Sequence, residues 1–265
     1  TNVEALSHTA LFWRSFTHWI GGMGVLVFLL AIIPLSGGSN INLMRAESPG
    51  PSVGKLVPKM KYTARILYII YFGMTILEFI FLIIGKMPVF DSICTAVGTV
   101  KNDSLGSYSP YLQWVVAIFM ILFGVNFNAY YYIIYRHFKK AFKMEEVRCY
   151  FAIILIATAI IFANILDRCV SIFDALTKSV FQVASLITST GFSSTDFNLW
   201  PQICRTVLVL IMFIGACAGS TGGGIKVSRV IVLFKTMIKE LHSYIHPKSI
   251  RKVNLDGKPV EHEIV

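Results

Sequence analysis

Apolar residues run along this chain in blocks too long for the interior of a small soluble domain, and the polar residues collect between them. A helix needs about 20 residues to cross roughly 30 Å of hydrocarbon. Blocks of that order cover residues 11–35, 66–84, 111–135, 150–166 and 203–238, the last interrupted by glycines. Each predicts a membrane-crossing helix, and no separate soluble domain is visible. The predicted fold class is an all-α integral membrane protein.

Two of the segments between these blocks follow one plan. "FDSICTAVGTVKNDSLGSYSP" starts at Phe90 and "FDALTKSVFQVASLITSTGFSSTDFNLWP" at Phe173; each opens on Phe-Asp and ends on a Pro, with a Gly fourteen positions later, Gly124 and Gly215. Such self-similarity marks an internal repeat. In the second copy residues 175–187 have a helical apolar pattern, but 13 residues are too few to span, which predicts a re-entrant helix. The small residues of "TSTGF" follow, where the backbone leaves the helix. Non-helical backbone is tolerated at membrane depth only where protein buries it or it lines a wet cavity. Helix, re-entrant half-helix, open carbonyl loop and helix together make a pore-loop module, because main-chain carbonyls can replace the hydration shell of a cation. The first copy is shorter: 19 positions from Asp91 to Pro110 against 27 from Asp174 to Pro201. The eight missing residues fall after "TAVGT", where a full re-entrant helix and a carbonyl strand do not both fit.

Composition agrees with the membrane reading. The 265 residues are 55% hydrophobic and 14% charged, with a mean hydropathy of +0.67. The formal charge of +10 would suit nucleic acid, but its distribution does not. Residues 36–65 carry Arg45, Lys55, Lys59, Lys61 and Arg65 against Glu47, and residues 136–149 carry five bases against Glu145 and Glu146. The intervening segments 86–110 and 167–202 are neutral or acidic. Alternation of this kind places basic loops on the cytoplasmic side, so the N-terminus is expected outside and the C-terminus inside. No nucleic-acid partner is expected. Residues 1–10 lack the basic start of a cleavable signal peptide.

The stretch "GACAGSTGGGIK" puts five glycines into residues 215–224, inside the last apolar block. Each glycine in a helix interior costs about 1 kcal/mol relative to alanine, so unwinding here is cheap and reversible, and a hinge is predicted. A phosphate-binding loop is excluded, since Ile225 separates Gly224 from Lys226 and no strand precedes it. Gly21, Gly22 and Gly24 fit close helix packing. Glu78 is the acid inside a span and a functional candidate by position, although it lies only about two turns from the outer end and could reach water. Asn126 and Asn128 are placed to hydrogen-bond across helices. Lys226 and Arg229 fit either snorkelling to headgroups or control of the glycine segment. The five cysteines show no C-x-x-C and the six histidines no metal-binding spacing, so buried free thiols and no metal centre are expected. Intramembrane hydrolysis would need a paired nucleophile and base at membrane depth, and no such pair is present. The chain is not expected to be an enzyme.

"WRSFTHWIGGMG" (13–24), "RAESPGP" (45–51), "GVNFN" (124–128), "TSTGF" (188–192) and "AGSTGGGIK" (218–226) together resemble the Trk/Ktr/HKT superfamily of cation transporters, and most closely its Trk-type potassium uptake subunits. In that superfamily four pore-loop modules in one polypeptide surround a single pore. The resemblance implies that Thr188, Ser189, Thr190 and Gly191, followed by Phe192, form one strand of a potassium selectivity filter, with Gly191 permitting close backbone approach. It implies that Gly219, Ser220, Thr221, Gly222, Gly223 and Gly224, with Lys226, form an intramembrane gate beneath it. A cytoplasmic nucleotide-binding regulatory ring, a homodimer, location in the plasma (inner) membrane and no cofactor beyond the transported potassium ion are implied too. The expected division is the last helix of a first module (1–40), a cytoplasmic linker (41–65), a second module with a shortened re-entrant loop (66–138), a linker (139–149), a third module with a glycine-broken inner helix (150–238), and a cytoplasmic tail (239–265). In the tail, Asp-Gly between alternating residues predicts a hairpin. Since fewer than four modules are present, a non-conducting scaffold fragment is the alternative expectation.

Overall fold

The structure, a computed structural model, describes residues 4–24, 60–96, 98, 101, 104–246, 253–256 and 258–259. Helix α1 (His8–Met23) starts where the Ser7 hydroxyl accepts the Ala10 N–H at 3.4 Å and ends at Gly24, whose φ of 86° no other residue adopts comfortably. The predicted run 11–35 is therefore not one uninterrupted helix. Its remainder, the "RAESPGP" motif and most of the 41–65 linker lie outside the described residues.

Helix α2 (Met60–Ile84) and helix α7 (Glu145–Ile165) are the long apolar elements. Among the described residues these two are long and apolar enough to cross a membrane, and a third crossing is counted if the bent pair of helices between Pro110 and Ile134 is one span. That is fewer than the five spans expected, the last of them interrupted by glycines. The reason is visible in α4 (Pro110–Phe123) and α5 (Phe127–Ile134), which meet at 92° and correct the prediction of a single helix over 111–135. Gly124 ends α4. Asn126 then starts α5 by accepting the Asn128 N–H at 2.9 Å, so two polar or small residues turn an otherwise apolar block through a right angle. Helix α9 (Gln202–Ile214) likewise stops at Gly215 (φ 74°), and α10 (Val227–Ile245) begins only after a non-helical segment. The interruption predicted in the last block is present.

Between α2 and α4 lies the short α3 (Val89–Thr95), seven residues long. Its counterpart in the second copy, α8 (Ile172–Ile187), has sixteen. It starts three residues before the predicted 175–187 because Ser171 caps it, accepting the Asp174 N–H at 3.1 Å. Helix α8 is the hub of the fold and packs against α4, α7 and α9. Ala175, Phe181, Val183, Ala184 and Ile187 are fully buried, as a helix surrounded by others requires. Trp114 of α4 reaches it through its indole N–H, which donates to Thr177 at 2.8 Å.

The 139–149 segment, expected as a linker, contains helix α6 (Phe138–Lys143) and the first turn of α7. On the far side of the bundle Trp19 of α1 stacks on Tyr71 of α2 at 5.0 Å between ring centroids, and the Tyr71 hydroxyl donates to the Trp19 carbonyl at 2.9 Å. Gly22 is needed there, because a Cβ would lie 2.7 Å from that hydroxyl, whereas Gly21 faces open space. In the tail, β1 (Asn254–Leu255) pairs antiparallel with β2 (Lys258–Pro259). This is the predicted hairpin, with Asp256 at φ 51° in its turn.

Candidate functional site

Helix α8 ends at Ile187, and the chain continues through residues 188–192 without regular structure. Its amides turn back to the helix: Thr190 N–H donates to Ser185 O at 2.9 Å, Gly191 N–H to the same oxygen at 3.4 Å, and Ser189 N–H to Leu186 O at 3.2 Å. The Thr188 hydroxyl also points back, donating to Ala184 O at 2.7 Å. Ser185 closes the far end, its hydroxyl donating to Phe192 O at 2.5 Å. Among the described residues, no donor reaches the carbonyl oxygens of Thr188, Ser189, Thr190 or Gly191. Orphaned carbonyls are costly unless water or a cation meets them. Thr188 is buried, and Ser189, Thr190 and Gly191 are exposed.

Ser189 and Thr190 line a cavity of about 480 Å³ bounded by α1, α2, the end of α3, α4 and this strand. Thr188, Ser189, Thr190 and Phe192 line it together with Thr221 and Glu78. Glycine at 191 has a backbone reason within this chain. A Cβ there would meet nothing within 4 Å, so close approach is not what requires it; its φ of 76° is. Ser189 also has a positive φ, 58°, a conformation that costs a non-glycine residue about 1–2 kcal/mol.

The glycine segment lies directly against this strand. A Cβ on Gly222 would be 3.1 Å from Thr188 O, and one on Gly223 would be 3.3 Å from the Ser189 hydroxyl. Inside the loop, Gly215 and Gly224 meet backbone to backbone: a Cβ on Gly215 would lie 2.3 Å from Gly223 O and 3.0 Å from Gly224 Cα. Three of the loop's backbone groups pair with the break between α4 and α5. Cys217 N–H donates to Gly124 O at 3.1 Å, Thr221 N–H to Phe123 O at 3.2 Å, and Phe127 N–H to Gly219 O at 3.0 Å. Two broken helices thus pair the backbone groups that each break exposes. The Ser220 hydroxyl holds Cys217 O at 2.6 Å.

Three charged side chains, Lys226, Glu78 and Glu146, complete the picture. Lys226 does not snorkel. It is 7% exposed, has φ 81°, and its ammonium folds back to donate to Gly222 O inside the loop. Arg229, three positions on, is exposed. Glu78 does not reach outer solvent; it is 4% exposed, faces the cavity, and accepts no hydrogen bond from any described residue. Glu146 was counted among the linker charges, yet it is 4% exposed. One of its carboxylate oxygens accepts Ala218 N–H at 2.6 Å and Ser228 N–H at 3.3 Å, and the other accepts the Asn126 side-chain amide at 3.0 Å. Asn126 therefore does bond across helices as predicted. Nothing local in the sequence marked Glu146; only a fold that brings positions 126, 146, 218 and 228 together reveals it. All five cysteines are free, and no metal-binding cluster occurs among the described residues.

The family model described as "Cation transport protein" (TrkH) matches residues 1–265. The Trk system potassium uptake protein TrkH of Salmonella typhimurium is 33% identical over 99% of this chain and 57% of that protein. TrkG of Escherichia coli, also named a Trk system potassium uptake protein, is 32% identical over 100% of this chain and 57% of its own length. The crystal structure of the potassium transporter TrkH from Vibrio parahaemolyticus superposes with a TM-score of 0.82 at 28% identity, over 99% of this chain and 56% of that one. The chain thus spans a little over half the length of the relatives it matches.

Proposed function

The chain belongs to the TrkH cation transport family, and from that premise we propose that it forms part of the wall and the gate of a potassium-conducting path across a plasma membrane. In this reading dehydrated potassium ions pass along the carbonyls of Thr188, Ser189, Thr190 and Gly191, which replace water in the coordination shell. Residues 219–224 with Lys226 block the path until the loop moves. The function involves no covalent chemistry.

One observation carries the reading. Three residues of a strand whose carbonyls have no described donor, Thr188, Ser189 and Thr190, line a cavity, and a loop of glycines backs directly on the first of them. A surface turn would need neither the re-entrant helix that delivers the strand nor a second broken helix to seat the loop.

The remaining modules of the pore would come from polypeptide beyond this chain or from a partner subunit. We take residues 66–138 as a second module, residues 150–238 as a third, and α1 as the closing helix of a first. The basic loops and the tail would face the cytoplasm, and the nucleotide-binding ring and second copy implied by the resemblance would dock there. Potassium rather than sodium is the proposed cargo. A second reading is favoured by α3: seven residues against the sixteen of α8 leave the second module without an equivalent of α8, as expected of a non-conducting scaffold.

Expression of the full reading frame that contains this chain, in a bacterium lacking its potassium uptake systems, separates the two. Conduction predicts growth restored at low external potassium, and rubidium uptake competed by potassium but not by sodium. A correctly inserted protein that restores neither would overturn the proposal and favour the scaffold.

A further inference from the structure

Glu146 sits where two helix N-termini meet. It belongs to the first turn of α7, and its Oε1 accepts Ser228 N–H from the first turn of α10. Helix α10 has no side-chain cap of its own, since its N-cap position is Lys226. The carboxylate therefore supplies from another helix the acceptor that this end requires, and its negative charge suits both positive helix ends. The same oxygen accepts Ala218 N–H, just before the glycines begin. Residues 218 and 228 bracket residues 219–226, so one buried carboxylate grips the loop at its entry and its exit. Asn126 holds the second oxygen, and its own Oδ1 is engaged in capping α5, so its amide cannot flip without giving up that cap.

The neighbouring residue faces the other way. Glu145 N–H donates to Asp256 Oδ1 at 2.7 Å, and the Glu145 carboxylate is bonded by Lys235 of α10. Lys235 also donates to Asn254 O at 2.8 Å. Leu255 and Val253 pack on Val232 of the same helix. Two consecutive glutamates in one helical turn therefore hold the terminal hairpin on the outside and the glycine loop on the inside.

We infer that Glu146 is the positioning residue of the glycine loop, and that the turn it shares with Glu145 couples the position of the hairpin to the seating of that loop. The inference rests on the loop being the gate only for its consequence in ion flow; the mechanical claim stands separately. Pulling the hairpin from α10 shifts the first turn of α7, lengthens the charge-assisted bonds to Ala218 and Ser228, and frees the loop from the strand above it.

Cys217 provides a readout that needs no ion flux. It is fully buried one residue before the contact at Ala218. In the full-length polypeptide, with Cys94, Cys149, Cys169 and Cys204 replaced by serine or alanine, the rate of Cys217 alkylation by N-ethylmaleimide reports loop seating. Glu146→Gln sets an amide against the Asn126 amide and removes the charge, and should raise the rate roughly tenfold or more. Adding Asn126→Asp returns a carboxylate to the same contact while still accepting Asn128 N–H, and should restore slow alkylation. Asp256→Ala, distant from the loop, should raise the rate about two- to fivefold, a smaller effect for an exposed bond.

Alkylation of Glu146→Gln at the unmodified rate overturns the positioning role, as does failure of the double variant to restore it. An Asp256→Ala rate equal to that of the parent overturns the coupling. Altered alkylation in a protein that conducts no potassium would leave this inference standing and remove the conduction reading instead. Should Glu146→Gln not insert, the rate in Asp256→Ala decides.

Discussion

Gly215 is the residue whose substitution tests the seated loop most severely. Its φ of 74° with ψ −167° lies in a region open essentially to glycine, and a side chain forced into it costs about 1–3 kcal/mol. A Cβ would also lie 2.3 Å from Gly223 O and 3.0 Å from Gly224 Cα. These are backbone atoms that cannot rotate away, and overpacking of this kind costs a further 1–3 kcal/mol or so. An unseated loop relieves both. Gly215→Ala should therefore shift the balance toward the unseated state by about 3 kcal/mol, on the order of a hundredfold in population. The assay is rubidium efflux from liposomes containing the full polypeptide with no cytoplasmic partner added. Leak at least about tenfold above the parent protein is expected, while Gly73→Ala, at a helical position with nothing within 4 Å of the new methyl, should leave efflux unchanged. A monodisperse, normally inserted Gly215→Ala protein that leaks no more than the parent would refute the idea that loop seating restrains ion flow.

Other substitutions probe separate parts of the site. Gly191→Ser should lower potassium over sodium preference in competition uptake, because the left-handed backbone at φ 76° costs a side chain about 1–2 kcal/mol and the strand relaxes to avoid it. Ser185→Ala removes the 2.5 Å bond to Phe192 O and should produce a milder loss of selectivity, read in the same competition, with folding stability reduced by about 1 kcal/mol. Lys226→Met keeps the aliphatic stem but deletes the bond to Gly222 O; a faster basal leak with unchanged selectivity is expected, and an unchanged leak would assign Lys226 to packing alone.

Much of this was legible because it depends on local pattern. A block of thirteen apolar residues is too short to span, so a short α8 is expected from length, and the small residues of "TSTGF" mark where it ends. Five glycines in ten residues made a helix break unavoidable. The turn at Gly124 is hidden in the sequence, since "GVNFN" sits within a block apolar enough to predict continuous helix, and the right angle comes from Asn126 capping α5. Glu146 escaped because its value comes from Ala218, 72 positions away, and Ser228, 82 positions away. In a linear count it is one acid in a basic segment. For Lys226 the sequence left two fates open, snorkelling, which is ordinary for a lysine near a helix end, and control of the glycine segment; its bond to the Gly222 carbonyl decides between them.

The central claim is that the carbonyls of residues 188–191 coordinate a dehydrated cation above the glycine loop. Anomalous scattering from thallium or rubidium, soaked in place of potassium into crystals of the full polypeptide, tests it without reference to flux. The account predicts peaks within coordination distance of the Thr188, Ser189, Thr190 and Gly191 oxygens, lost when sodium replaces the heavy ion. Clear density for that strand with no peak beside it, or peaks confined to the carboxylate of Glu78, would contradict it.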